Sequence, residues 1–117
     1  MMRATLGSLT LGLAVMAMPG AALAGVDVQN LRYICDRGVE IPVVYVNADD
    51  TSLAVLTVEG SQILLYAEVA ASGVKYGWPS GGSHYVWWSK GPEATLSWHD
   101  GASDTESTLL SVCKIEG

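Results

Sequence analysis

The sequence predicts an all-β protein, a small eight-stranded antiparallel β-barrel formed by a single domain. Segments rich in β-branched and aromatic residues recur at near-regular spacing, separated by glycine, proline, asparagine, aspartate and serine, and no helical period of useful length appears. Hydrophobic segments such as 43–45 and 63–66 would also aggregate at an open sheet edge. Closure into a barrel removes such edges, so we expect a closed sheet.

The predicted strands follow one another along the second and larger part of the chain. Turn residues bound each of them, because glycine, asparagine, aspartate and serine adopt the backbone conformations of tight turns. The predicted strands are 31–36, 40–46, 52–58, 62–69, 75–78, 84–89, 94–99 and 108–114. A barrel of this size is filled by its own side chains, so we expect function on its loops.

Residues 1–24 are expected to be a cleaved export signal, and residues 25–117 the mature domain. Arg3 supplies the positive end, the apolar run 6–18 is shorter than the roughly 20 residues of a membrane span, and 22–24 is a small-x-small cleavage site. No cysteine stands at the cleavage point, where a lipoprotein would carry one. We therefore expect a periplasmic or secreted protein without a membrane anchor.

The charge of the mature domain is strongly acidic. Removing Arg3 from the 6 basic residues leaves 5 against 12 acidic ones, a net charge of about −7. Such a surface disfavours nucleic acid and anionic membranes as partners. It favours a basic protein, attracted by long-range steering that salt weakens.

Two cysteines remain in the mature domain, Cys35 near its start and Cys113 near its end. In an exported chain an even pair of this kind predicts a disulfide. Two cysteines so far apart, with no local partner ligand, do not fit a zinc site, and we expect no metal.

The segments 72–76 and 85–96 carry the strongest functional signal. They place Lys90 beside Gly91 after a run of aromatic strand residues. A single cation on such a turn suits insertion into an acidic cleft of another molecule better than it suits catalysis.

The aromatic residues around this lysine are predicted to have different roles. Trp87 and Trp88 should point to opposite faces of their strand, so at most one is a core residue and the other is exposed as an interface anchor. Tyr76 and Tyr85 are expected mainly in cross-strand packing.

A catalytic or metal interpretation of the two histidines is disfavoured. His84 and His99, with Ser72 or Ser83 and Asp100, supply the residue types of a Ser/His/Asp set, but no nucleophile-elbow context surrounds them. We expect no enzyme activity and no cofactor.

Four segments of the mature domain together carry a family resemblance. They are Tyr33-Ile34-Cys35-Asp36-x-Gly38, Leu109-Leu110-x-x-Cys113, the Ser-Gly-x-x-Tyr element at 72–76 and the aromatic-x-Lys-Gly element at 88–91, followed by Ala94. On these residues the chain resembles the bacterial inhibitors of C-type lysozyme, the MliC/PliC group. The resemblance extends over essentially the whole mature domain.

This resemblance implies that Ser72 and Lys90 enter the lysozyme cleft and reach its catalytic carboxylates. The lysozyme-binding residues that it implies are Ser72, Gly73, Tyr76, Trp88, Lys90 and Gly91. The chain departs from the family pattern in the longer segment 77–84 and in Pro92. These departures leave the spatial separation of Ser72 and Lys90 open.

Two other functions remain alternatives at this stage: a barrel that binds a small apolar ligand in its interior, and a structural envelope protein acting through exposed aromatic residues. An interior filled by side chains would exclude the first of these. The sequence leaves open whether the domain forms a homodimer and which lysozyme it prefers.

Overall fold

A computed structural model describes residues 25–116, which form a closed eight-stranded antiparallel barrel and confirm the predicted fold class. The predicted export signal lies outside the described residues. The strands are β1 (Asp27–Ile34), β2 (Glu40–Asn47), β3 (Ser52–Val58), β4 (Ser61–Glu68), β5 (Val74–Gly77), β6 (His84–Lys90), β7 (Glu93–Asp100) and β8 (Thr105–Ile115). Each pairs with the next in sequence, and β8 returns to β1. Among residues 25–116 no helix has the length and hydropathy that a membrane crossing requires.

All eight predicted strands are present, and the first and last strands in the sequence are longer than predicted. Strand β1 begins at Asp27 instead of residue 31, and β8 begins at Thr105 instead of residue 108. Both extensions are exposed and mostly polar, yet they continue the ladder, with Asp27 opposite Asn47 and Thr105 opposite Asp100. Backbone pairing sustains these ends, so their side chains show no alternation for a sequence pattern to detect.

Alternate strand residues point inward and fill the barrel. The buried core contains Tyr33, Cys35, Ile41, Val43, Tyr45, Ala54, Leu56, Val58, Leu65, Tyr76, Trp87, Ala94, Leu96, Leu110 and Cys113. Trp87 is fully buried, while its neighbour Trp88 is half-buried on the outer wall, as the alternation predicted. With its interior occupied in this way, the barrel described by residues 25–116 does not support the small-ligand alternative.

A hydrogen-bonded aromatic cluster lies in the middle of this core. The Trp87 indole Nε1 donates to the Tyr45 hydroxyl at 2.8 Å, and the Tyr45 and Tyr33 hydroxyls are 2.8 Å apart. The rings of Tyr33 and Trp87 meet edge to face with centroids 5.0 Å apart. Burial, reinforced by the Tyr45 hydrogen bond, raises the pKa of Tyr33, so its hydroxyl stays neutral. The cluster thus satisfies its own buried polar atoms.

The barrel closes along a short seam between β1 and β8. Within residues 25–116 two residue pairs, Tyr33 with Ile115 and Ile34 with Lys114, join the strands there, and the Glu116 N–H donates to the Arg32 carbonyl oxygen at 2.8 Å. The predicted disulfide between Cys35 and Cys113 is present directly beside these pairs. By the chain-entropy argument, a cross-link over a loop of this length stabilises a fold by about 4 to 5 kcal/mol.

A carboxylate supports the same seam. Asp36, in the 3₁₀ turn Asp36–Gly38, accepts hydrogen bonds through Oδ2 from the Ser111 backbone N–H at 2.7 Å and from the Ser111 hydroxyl at 2.9 Å. These bonds favour the ionised form, so they lower the pKa of Asp36. The turn after β1 is thereby attached to β8.

We expect Tyr45→Phe to lower the free energy of unfolding by about 1 to 3 kcal/mol, because it leaves the buried Trp87 indole N–H without its acceptor. Urea denaturation measures the change. The matched control is Tyr66→Phe, on the outer wall with its ring 5.7 Å from Trp78. Its effect is expected to stay below about 0.5 kcal/mol. Equal effects of the two substitutions would contradict this role of the aromatic cluster.

We expect Asp36→Asn to lower the urea midpoint at neutral pH. A carboxyl group whose pKa is lowered by folding stabilises the fold above its unfolded pKa of about 3.9, and that stabilisation disappears as the pH falls through the folded pKa. The parent and variant midpoints should therefore converge as the pH falls below the unfolded pKa and through the lowered folded pKa of Asp36. The control Asp49→Asn changes the same charge in an exposed turn. A gap between parent and Asp36→Asn that is constant with pH would refute the assignment.

Candidate functional site

The two ends of the barrel carry different loops. We call the end formed by loops 48–51, 69–73 and 91–92 the lysine end, and the end formed by 35–39, 59–60, 78–83 and 101–104 the far end. The motif residues Ser72, Gly73, Lys90 and Gly91 all lie at the lysine end. The longer segment 77–84 turns at the far end, about 10 Å away along β5. It therefore does not separate the two motifs.

Strand register brings the two motifs together. Val74 lies opposite Ser89, and Lys75 lies opposite Trp88. We call loop 69–73 the serine loop and loop 91–92 the lysine turn. Because β5 begins at Val74 and β6 ends at Lys90, these two loops leave the sheet side by side.

Trp88 contacts both motif loops. Its indole Nε1 donates a hydrogen bond of 2.8 Å to the Ser72 carbonyl oxygen. The Lys90 ammonium lies 4.1 Å from the centre of the Trp88 ring, within cation–π range. The serine, the lysine and the tryptophan thus form one continuous surface.

Gly73 permits the close approach of the two loops. Its φ of +64° is in the left-handed region, and a Cβ built there would overlap the Ser89 carbonyl oxygen and lie 2.7 Å from Lys90 Cγ. Any other residue would have to push the serine loop away from β6.

Lys90 is exposed, and none of the ion pairs formed within residues 25–116 involves it. The other lysine near the Trp88 ring differs. Lys75 lies 5.3 Å from the ring centre and 3.6 Å from the Glu106 carboxylate. Of the two lysines near the Trp88 ring, Lys90 is therefore the one whose ammonium remains available to an acidic group of a partner.

The lysine turn itself is a tight hairpin. Gly91 and Pro92 form a two-residue loop between Lys90 and Glu93, with a Gly91 φ of +58°. A positive φ at the first central position is the conformation for which glycine is preferred in such hairpins. The Pro92 carbonyl accepts a hydrogen bond from the Ile115 N–H at 3.0 Å, which attaches the turn to β8.

A shallow groove of about 220 Å³ adjoins the site on the outer wall. Besides Trp88 and Lys90, hydroxyl groups of β7 and β8 line it, from Thr95, Ser97, Thr108 and Ser111. This polar surface is continuous with the lysine turn, so a molecule that meets Lys90 from this side also meets the groove.

The structure places Tyr76 apart from the other motif residues. Its side chain is 4% exposed and lies in the core, with its ring centroid 5.5 Å from that of Tyr45. Tyr76 therefore anchors β5 under the serine loop, and almost none of its side chain is exposed. Tyr85 packs edge to face on Trp98 at 5.0 Å, as its predicted cross-strand role requires.

The histidines form no catalytic set. His84 and His99 lie side by side, with ring centroids 5.0 Å apart, toward the far end and away from Ser72. The Ser83 hydroxyl accepts from the Gly101 N–H, and Asp100 accepts from the Ala102 N–H, so both support turns. Within the described part of the chain no three histidine, cysteine, aspartate or glutamate side chains converge as a metal site.

A filled barrel with Ser72 and Lys90 exposed together at one end defines a class of protein: a small closed β-barrel that, within residues 25–116, has no interior ligand site. The family follows from comparison with known proteins. A family model described as membrane-bound lysozyme-inhibitor of c-type lysozyme, MliC, matches residues 33–105. The chain belongs to this family, which confirms the resemblance predicted from its motifs. Members of the family are inhibitors, which bind an enzyme and are not enzymes themselves.

Two curated relatives carry the name membrane-bound lysozyme inhibitor of C-type lysozyme. The Pseudomonas aeruginosa protein is 40% identical over 82 residues, which cover 69% of this chain and 60% of the relative. The Cupriavidus necator protein is 41% identical over 70 residues, which cover 60% of this chain and 53% of the relative. The chain thus spans between half and two thirds of the length of these relatives.

A solved structure extends the similarity to the fold. The crystal structure of Pseudomonas aeruginosa MliC in complex with hen egg white lysozyme matches with a TM-score of 0.60 and 29% identity. The match covers 97% of this chain and 99% of that one.

Several contacts at this site were not predicted from the sequence. The Lys75 to Glu106 ion pair, the Trp88 to Ser72 hydrogen bond and the contact of Gly73 with Ser89 all join residues distant in the chain. They depend on the register between strands, which the spacing of hydrophobic residues does not specify. The one available signal was Gly73 itself, since a glycine before a strand often marks a close backbone approach.

We expect Gly73→Ala to destabilise the protein more than Gly60→Ala does. Gly60 has a similar positive φ of +82°, but a Cβ there meets nothing within 4 Å, so its substitution measures backbone strain alone. The overlap at Gly73 should add about 1 to 3 kcal/mol to the loss in free energy of unfolding. Urea denaturation of both variants tests this. Equal losses in free energy of unfolding would mean that the serine loop moves away from β6 without an energetic cost.

Proposed function

We propose that this protein inhibits a C-type lysozyme by inserting Lys90 and Ser72 into the active-site cleft of the enzyme. The observation that carries the proposal is the exposed Lys90 ammonium, outside every ion pair within residues 25–116, on a turn beside the serine loop. Membership of the family supports the class of partner. The related MliC structure in complex with hen egg white lysozyme supports the same partner.

The chemistry of the target explains why an ammonium would inhibit it. C-type lysozymes are retaining glycosidases that use two carboxyl groups about 5 Å apart, one of which must be protonated to act as the general acid. A cation placed between them favours the ionised form of both. Lys90 would therefore occupy the sugar site and also lower the pKa of the general acid, which would lose its proton.

Ser72 would add a directional contact. Its hydroxyl is exposed next to Gly73, so it can donate to a carboxylate without a change in the loop. A hydrogen bond to a charged group contributes about 1.5 to 3 kcal/mol where water is excluded.

The acidic body of the protein would assist association with a basic enzyme. Residues 25–117 carry 12 acidic residues, and several of them, including Asp49, Asp50 and Glu93, are exposed around the lysine end. Long-range attraction would raise the association rate, and salt would reduce that gain. Lys90 would then provide a local positive charge, which would contact the carboxyl groups of the cleft.

The proposed setting is the periplasm or the space outside the cell, where inhibition would protect the peptidoglycan of the producing cell. The predicted export signal supports this location. The Cys35 to Cys113 disulfide supports it as well, because such bonds persist in oxidising compartments.

We expect Lys90→Met to weaken inhibition at least about 30-fold, because it keeps the side-chain stem beside Gly73 but removes the charge from the lysozyme cleft. The assay is lysis of a bacterial cell-wall suspension by C-type lysozyme with increasing amounts of the disulfide-bonded protein. Arg37→Ala at the far end is the control, since it makes the same change in net charge and should inhibit within about twofold of the parent.

The two variants separate insertion from general electrostatics. If Lys90→Met inhibits as well as the parent, insertion of Lys90 is wrong. If both variants lose inhibition equally, net charge is responsible and no lysine is inserted. Repeating the assay at low and moderate salt measures the steering contribution, which should decline as salt rises.

A further inference from the structure

The Trp88 side chain contacts both motif loops, through a hydrogen bond to the Ser72 carbonyl oxygen and through the Lys90 ammonium over its ring. We propose that it is a positioning residue, which fixes the serine loop and the lysine side chain relative to each other before any partner arrives. This inference rests on the proposed function. It assigns to Trp88 a role within the inhibitor instead of a contact with lysozyme.

The serine loop depends on Trp88 for its conformation. Among the turn and loop backbone hydrogen bonds within residues 25–116, none involves loop 69–73. Other loops have their own, such as Ala48 N–H to Thr51 at 2.8 Å and Gly81 N–H to Trp78 at 3.1 Å. The bond from the Trp88 indole to the Ser72 carbonyl therefore supplies the anchor that the loop backbone does not provide.

The lysine side chain is held from two sides. Gly73 brings the serine loop against the stem near Lys90 Cγ, and the Trp88 ring attracts the ammonium at 4.1 Å. A free lysine side chain has several flexible torsions, and ordering it on binding costs conformational entropy. Since these contacts order Lys90 in the free protein, less of that cost remains at binding.

Lys75 does not replace Lys90 on the ring. It approaches the same indole at 5.3 Å, but its ammonium is also 3.6 Å from Glu106. The carboxylate holds Lys75 to the side of β7 and β8, so the nearer position over the ring belongs to Lys90.

The first test uses NMR on the disulfide-bonded protein without any partner. Trp88→Leu removes both the indole N–H and the ring. We expect faster backbone motion at Ser72 and Gly73, and loss of the ring-current shift of the Lys90 methylene protons. The control Trp98→Leu removes an exposed tryptophan that packs on Tyr85 near the far end, and should leave both signals unchanged. Unchanged signals in Trp88→Leu would overturn the inference.

The second test separates positioning from direct contact. Trp88→Leu is expected to weaken lysozyme binding about tenfold in the parent background, from the lost hydrogen bond and cation–π contact. In a Ser72→Ala, Lys90→Met background nothing is left to position, so the loss should shrink to about twofold or less. The same tenfold loss in both backgrounds would mean that Trp88 touches the partner, and would overturn the inference.

The outcomes distinguish this inference from the proposed function. If the Ser72→Ala, Lys90→Met background binds lysozyme as tightly as the parent, the proposed function fails, whatever the NMR signals show. If that background binds weakly but Trp88→Leu leaves the free loops ordered, only the positioning role fails. Trp88→Phe, which keeps a ring, serves as the second variant if Trp88→Leu does not fold.

Discussion

The closing seam between β1 and β8 is the constraint on which the rest of the barrel depends. Two residue pairs are a short ladder for joining the first strand to the last. A disulfide and the Asp36 carboxylate, both immediately after β1, supplement it. Without closure β1 and β8 would each have an open edge, and the aromatic cluster in the interior would be open to water.

The seam also determines where the functional loops lie, because strand register is transmitted across the sheet. Lys114 of the seam lies opposite Glu93, which in turn lies opposite Lys90. A second row begins at the disulfide and runs from Cys113 through Ala94 and Ser89 to Val74. The lysine turn thus shares a row of paired residues with the β1–β8 ladder, and the serine loop shares a row with the disulfide. A change of register at the seam would displace both loops.

The fold could be predicted almost completely from the sequence, and the site only in part. Turn residues and alternating side chains predicted all eight strands, and the aromatic-x-Lys-Gly element identified Lys90. What the sequence could not supply was spatial arrangement. Tyr76 belongs to the motif but faces the core, and the Trp88 indole N–H donates a hydrogen bond to the Ser72 carbonyl oxygen. Both facts follow from the side of the strand on which each residue lies and from the pairing of β5 with β6.

The contact at Gly73 has a consequence for how such a site can change during evolution. The gap between the serine loop and β6 is set by backbone atoms, so no smaller residue can narrow it and any larger residue widens it. The spacing of Ser72 and Lys90 is therefore at its lower limit, and a substitution at Gly73 can only increase it. If these loops bind a partner as proposed, a closer fit to a different partner would have to come from adjoining parts, such as loop 48–51 or the hydroxyl-lined groove of β7 and β8.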